Sequence, residues 1–122
     1  MAQILVVDDS EVIRTQLENY LTEQGYDIVT AIDGLDGLNK LRTDPFIQLI
    51  ITDINMPNMD GLTMAKQIRY EMGNDLVKIL ALTTETTMEM KKKGKEAGIL
   101  GWGVKPFRGE AALKAIQKIV VK

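Results

Sequence analysis

The 122-residue chain contains neither cysteine nor histidine. Without cysteine there is no thiol nucleophile, no disulfide and no thiolate metal site. Without histidine there is no imidazole base, no Ser-His-Asp triad and no imidazole-bound zinc. Any chemistry must then use carboxylates, hydroxyls, lysine and a hard, oxygen-bound cation. Aromatic residues are scarce at 5%, with a single tryptophan. The apolar runs reach only about six residues, far short of the ~20 that span a bilayer, and no basic-then-apolar signal segment opens the chain. The expected location is the cytoplasm, with no membrane partner. A formal charge of −2 lacks the basic surplus of a nucleic-acid binder, so none is expected as a partner.

What is present is ordinary for a globular protein: 45% hydrophobic and 26% charged residues, and a length that fits one core. One domain, 1–122, is expected to carry the whole function. Its organising stretch is Leu49-Ile50-Ile51-Thr52-Asp53-Ile54-Asn55-Met56-Pro57. A short run of branched aliphatics ended by turn residues predicts a strand buried on both faces, with Asp53 at its C-terminal end.

The same unit repeats along the chain. Gln3 to Val7 predicts a first strand ending in Asp8-Asp9-Ser10, and Ser10 or Asp9 then caps a helix with Ile13, Leu17, Tyr20 and Leu21 on one face, ending near Gly25. Asp27 to Ala31 predicts a second strand. Asp33 opens a second helix with Leu35, Leu38 and Leu41 inward, closed by Asp44-Pro45. After the central strand, Asp60-Gly61 begins a third helix with Ala65, Ile68 and Met72 inward, stopped by Gly73-Asn74. Val77 to Leu82 predicts a fourth strand, running into Thr83-Thr84-Glu85. Met88 to Ala97 is a weaker helix, crowded by Lys91, Lys92, Lys93 and Lys95 and interrupted by Gly94. Ile99 to Val104 predicts a fifth strand, followed by Lys105-Pro106-Phe107 and a helix burying Leu113, Ile116, Ile119 and Val120.

Five strand-then-helix units predict an α/β fold with a doubly wound parallel sheet, because parallel strands need crossover connections of this length. In such a sheet the chemistry collects at the C-terminal ends of the strands. One acid there is most simply a turn or cap residue. Here Asp8, Asp9, Asp53, Thr83 and Lys105 all fall on one edge, a convergence that points to a site. Three close carboxylates need a cation, and Mg²⁺ suits oxygen ligands while leaving positions for a phosphate oxygen. Asp53 is then the candidate nucleophile for a phosphoryl group, with Lys105 and the Thr83 hydroxyl on the transferred oxygens. A cis Lys105–Pro106 peptide would turn the ammonium back over the edge. The helix 4 lysines are expected to form a solvated face. Met56, Met59, Met64, Met72, Met88 and Met90 are expected mainly in packing, and an exposed methionine in helix 4 would suit an adaptable partner surface.

In order and spacing, Asp8-Asp9, Asp53, Met56-Pro57, Asp60-Gly61, Thr83 and Lys105-Pro106-Phe107 resemble the receiver domains of two-component response regulators over essentially the whole chain. Thr84-Glu85 and Gly101-Trp102-Gly103-Val104 resemble the chemotaxis members of that family. The resemblance implies a flavodoxin-like sheet in the order 2-1-3-4-5 with five helices. It also implies a monomeric phosphoprotein that takes its phosphoryl group on Asp53 from a sensor histidine kinase (CheA-like), catalysing its own phosphotransfer and dephosphorylation without being an enzyme. Mg²⁺ would be held by Asp9, Asp53 and the Asn55 main-chain carbonyl, with Asp8 acting through water or as a second acid. Thr83 and Trp102 would be the switch pair, and Asn55 and Glu85 would tune dephosphorylation. Output would pass through helix 4, strand 5 and helix 5, to a flagellar motor switch protein in chemotaxis. Other outputs are a phosphorelay or a phosphate sink. A phosphatase of the haloacid-dehalogenase type, more remote, would need an acid where Asn55 stands. A flavodoxin-like flavin carrier would not follow strand 1 with Asp8-Asp9-Ser10-Glu11.

Overall fold

Four central residues of β1 (Ile4–Val7) and four of β3 (Leu49–Thr52) are buried without exception in the computed structural model, which describes residues 2–120. Burial on both faces explains why these strands are unbroken aliphatic runs, since alternate side chains serve opposite layers. Leu5, Val7 and Ile50 join a cluster with Leu38, Leu41, Met64, Ala65 and Ile68. Ile4, Val6, Leu49 and Ile51 join the opposite one with Leu17, Leu21, Ile116 and Val120. Helices α2 (Gly34–Thr43) and α3 (Gly61–Lys66) therefore cover one face, and α1 (Glu11–Glu23) and α5 (Gly109–Ile119) the other. The remaining strands are β2 (Ile28–Ala31), β4 (Lys78–Thr83) and β5 (Gly101–Val104), and α4 (Met88–Glu96) joins the last two. All strand pairs are parallel, in the order β2-β1-β3-β4-β5. The flavodoxin-like arrangement is as expected.

The register aligns the functional ends. Val7 pairs with Thr52, Thr52 with Ala81, and Thr83 with Val104. Consequently Asp8, Asp53 and Lys105 leave the sheet at the same edge. Capping fixes where each helix starts: Ser10 accepts from Ile13 N, Asp33 from Asp36 N, Asp60 from Thr63 N and Thr87 from Met90 N. Ser10, not Asp9, caps α1, which leaves the Asp9 carboxylate for the site.

Three expectations need correction. Leu35 points outward, about half exposed, because the buried stripe of α2 is Gly34, Gly37, Leu38 and Leu41. A Cβ at Gly37 would lie 2.8 Å from the Met64 sulfur and 3.2 Å from a Val7 methyl, so a glycine brings α2 onto its neighbours and rotates Leu35 away. Helix α3 does not stay α-helical to Gly73: Gln67–Glu71 is a π-helical segment, with Ile68 buried and Met72 only partly so. Finally, β5 begins at Gly101 and not at Ile99. Ile99 is spent as a core residue at the end of the α4 connection, and its N–H bonds back to Gly94 O.

Candidate functional site

At the strand ends, Lys105 Nζ lies 2.9 Å from Asp8 Oδ2 and 2.9 Å from Asp53 Oδ2. Asp8 and Asp53 are buried, and Asp9 is exposed beside them, with one carboxylate oxygen from each of the three within 4.8 Å of the others. The fold supplies the positions. Asp53 N donates to Val7 O, continuing the β1–β3 ladder into the site. Ile54 N donates to Asp53 Oδ1 at 2.6 Å, and Ser10 N donates to Asp8 Oδ1 at 2.9 Å. Arg14 Nη1 donates to the Asp8 carbonyl. Gly61 lies so close below Asp53 that a Cβ there would collide with the Asp53 carbonyl oxygen. This explains the need for glycine after the Asp60 cap.

Burial pushes the Asp8 carboxyl above its ordinary value, against the opposing pull of the Ser10 N–H and the Lys105 ammonium; nearby Asp53 pushes the same way as burial. Burial alone would lower the Lys105 pKa, but hydrogen bonds to Asp53 and Asp8 outweigh it and raise the net value. One ammonium faces three carboxylates, which leaves a negative, all-oxygen donor set with no nitrogen or sulfur competitor. That set fits a hard divalent cation such as Mg²⁺.

The Lys105–Pro106 peptide is cis. Thr83 is fully buried at the end of β4, and its hydroxyl oxygen accepts from Glu85 N at 3.3 Å. Asn55 Nδ2 donates to Glu85 Oε1 at 2.8 Å, and Trp102 Nε1 donates to Glu85 O at 2.7 Å. Glu85 thus touches Thr83, Asn55 and Trp102, all singled out from the sequence, a hub that spacing alone did not reveal. The other unforeseen contacts are main-chain donors, Ile54 N and Ser10 N, which carry no signature in the side-chain sequence. Lys91, Lys92, Lys93 and Lys95 are exposed as expected, and Met88 on α4 is 81% exposed.

With this geometry in place, the comparisons with known proteins are specific. A family model described as response regulator receiver domain matches residues 4–117. The chain belongs to that family. It is 36% identical over 121 residues to the chemotaxis protein CheY of Treponema pallidum (strain Nichols), covering 97% of this chain and 82% of that protein. A structure of the chemotaxis protein CheY4 of Vibrio cholerae superposes with a TM-score of 0.89 at 42% identity, covering 98% of each chain. A structure of the CheX–CheY–BeF₃–Mg²⁺ complex from Borrelia burgdorferi matches with a TM-score of 0.87 at 28% identity, covering 96% of this chain and 87% of that one. The receiver is a phosphoacceptor signalling protein with CheY homologues, built around the acidic cluster of Asp8, Asp9 and Asp53 with Lys105. Among the described residues no helix is long and apolar enough to cross a membrane.

Proposed function

We propose that the protein is a chemotaxis response regulator that accepts a phosphoryl group on Asp53 from a sensor histidine kinase in a Mg²⁺-dependent reaction. The observation that carries this is the Lys105 ammonium bridging Asp8 and Asp53 at 2.9 Å each, with Asp9 in the same cluster. The BeF₃ and Mg²⁺ in the structure of the Borrelia relative support the same assignment here. Asp9, Asp53 and the Asn55 main-chain carbonyl would hold the cation, with Asp8 behind it. When bound, the cation offsets charge on the phosphoryl oxygens and the carboxylates.

The chain's own residues do the remainder. An Asp53 carboxylate oxygen forms the new P–O bond as the donor's P–N bond breaks, and the departing imidazole keeps the bonding pair and takes up a proton. Ile54 N already holds Oδ1 of Asp53, which orients the carboxylate. Lys105 follows the charge onto the phosphoryl oxygens. Thr83 exchanges its contact with Glu85 N for one with the acyl phosphate, and Asn55 and Glu85 set access of water to it. Thr83 and Trp102 then relay the change to the face formed by α4, β5 and α5, where exposed Met88 suits an adaptable partner such as a flagellar motor switch protein. The protein would act as a monomeric cytoplasmic domain spanning 1–122.

The test is incubation with acetyl phosphate and Mg²⁺. Wild type acquires an acid-labile, hydroxylamine-sensitive phosphoryl group, and Asp53→Asn acquires none, since an amide is a poor nucleophile. Label that persists in the variant would place the nucleophile elsewhere.

A further inference from the structure

Gly94 is the one buried residue within α4, although glycine weakens a helix relative to alanine. The reason for it lies across the helix in β5. A Cβ at position 94 would meet Trp102 Cζ3 at 2.6 Å and Cε3 at 3.2 Å, with Ile99 Cδ1 at 3.6 Å. The indole cannot simply back away. Its Nε1 is tied to the Glu85 carbonyl at 2.7 Å, and its main chain pairs with Ala81 of β4. Glu85 is in turn held through its N–H to Thr83 Oγ1 and through its carboxylate to Asn55 Nδ2. Displacing the ring would remove one of the contacts that define the loop between β4 and α4.

We propose that Gly94 is a positioning residue: it forms the seat of the Trp102 ring and, through Glu85, holds the β4–α4 loop in the arrangement that serves Asp53. The packing half of this concerns the resting protein alone. The link to Asp53 rests on the phosphoacceptor role proposed above. If glycine were present at 94 for no packing reason, alanine would strengthen α4 whatever stands at 102. If Gly94 is the seat, alanine has opposite effects depending on the partner.

The experiment is a double-mutant cycle on the full chain. Gly94→Ala is expected to lower Tm, red-shift Trp102 emission and increase iodide quenching; in a Trp102→Val background the same substitution is expected to raise Tm. A rise in both backgrounds with unchanged emission would overturn the seat, and a fall in both would place the cost outside the Trp102 ring and overturn it equally. Coupling to the site is read by fluorine NMR of bound beryllofluoride in Mg²⁺, where Gly94→Ala is expected to raise the half-saturating concentration roughly fivefold. Equal half-saturation would overturn the coupling. Failure of wild type to bind beryllofluoride would remove the phosphoacceptor proposal, while Tm and emission would still decide the seat.

Discussion

Strands β3 and β5 end at the same edge of the sheet, and the residues that follow them, Asp53 and Lys105, form one ion pair, yet the strands are held very differently. All of β3 is buried between β1 and β4, whereas β5 is an edge strand of two glycines, one tryptophan and one valine, with Val104 half exposed. Behind β5 lies a half-open apolar pocket of about 340 Å³ lined in part by Gly101, Gly103, Ala111, Ala112 and Ala115. In front of it, α4 buries only Gly94 within its own span. Asp53 therefore sits on the stiff half of the molecule and its cationic partner, Lys105, on the yielding half. Elements that must respond to a ligand are drawn from the less stable parts of a fold, and under the function proposed above this division would put the response where few apolar contacts oppose it.

The comparison breaks most directly by core truncation. Ile50→Ala in β3 is expected to cost about 4 kcal/mol, because a fully buried aliphatic leaves a cavity among close-packed neighbours. Val104→Ala in β5 is expected to cost about 0.5 kcal/mol, since half its surface stays in water. Urea unfolding checks both, and equal losses would remove the distinction between the strands.

The next largest effect is expected at Arg69, which the sequence did not mark. Its side chain leaves the π-helical segment and donates from Nη1 to Asn74 O and Val77 O and from Nη2 to Gly98 O, so one guanidinium ties the entrances of β4 and β5 together. Burial lowers its pKa from the ordinary value, and nearby Asp75 opposes that. Arg69→Ala should cost about 3 kcal/mol, because carbonyls lose a charged donor. Arg69→Lys should recover only part of this, because an ammonium lacks the planar fork. Amide exchange in β5 and α4 should accelerate more than in β1 and β3. Uniform acceleration would mean that Arg69 supports the whole sheet and not the yielding half.

These two regions were also unequally legible in the sequence. The runs Ile4–Val7 and Leu49–Thr52 announce buried strands because both faces need aliphatics, and Asp8, Asp9 and Asp53 follow them directly, so the acidic cluster could be read from the chain. Leu35 misled because it lies three residues before Leu38, and periodicity alone could not show that Gly34 and Gly37 were the residues carrying the contact. The start of β5 and the π turn escaped for a related reason: each is set by main-chain bonds, Ile99 N to Gly94 O and Met72 N to Gln67 O, to which side-chain patterns are blind. Gly94 looked like a helix defect until Trp102 was found against it.

A smaller effect sharpens the stiff side of the comparison. Asp33 caps α2 through Asp36 N and accepts from Asn58 Nδ2, at 2.8 Å in each case. The Asp36 N–H, and after it the Asn58 amide, hold its carboxyl below the usual value of 3.8. A depressed pKa stabilises the fold above the unfolded value, and that contribution is lost as pH falls through the folded value. Asp33→Ala should thus cost about 1 kcal/mol at neutral pH, and the gap from wild type should close below pH 3.8. A gap that stays constant down to acid pH would mean that the loss is packing and not charge.

The smallest expected effect has the opposite sign. Asp8 is held by β1 in a buried position that raises its pKa above 3.8, burial outweighing the Ser10 N–H and Lys105. A raised carboxyl pKa means that the folded state holds the proton more tightly than the unfolded chain. The charged form is then a net cost above the folded pKa, and the cost vanishes once both states are protonated. Asp8→Asn should therefore raise Tm at pH 7 in Mg²⁺-free buffer, with the gain shrinking as pH falls and absent below 3.8. Asparagine keeps an oxygen for Ser10 N and turns its Nδ2 toward Lys105, which gives up that contact and keeps Asp53, so the substitution removes charge with little change of side-chain size. Adding Mg²⁺ should then stabilise wild type more than the variant, because a cation relieves repulsion that the variant no longer has. The stiff half of the sheet would thereby be holding an acid where the fold does not favour it, as a binding site requires. Thermal scans across pH, with and without Mg²⁺, measure both terms. A Tm that falls in Asp8→Asn at pH 7 without metal would show that the Lys105–Asp8 ion pair outweighs burial, and would move Asp8 from the functional cost of the site to its structural support.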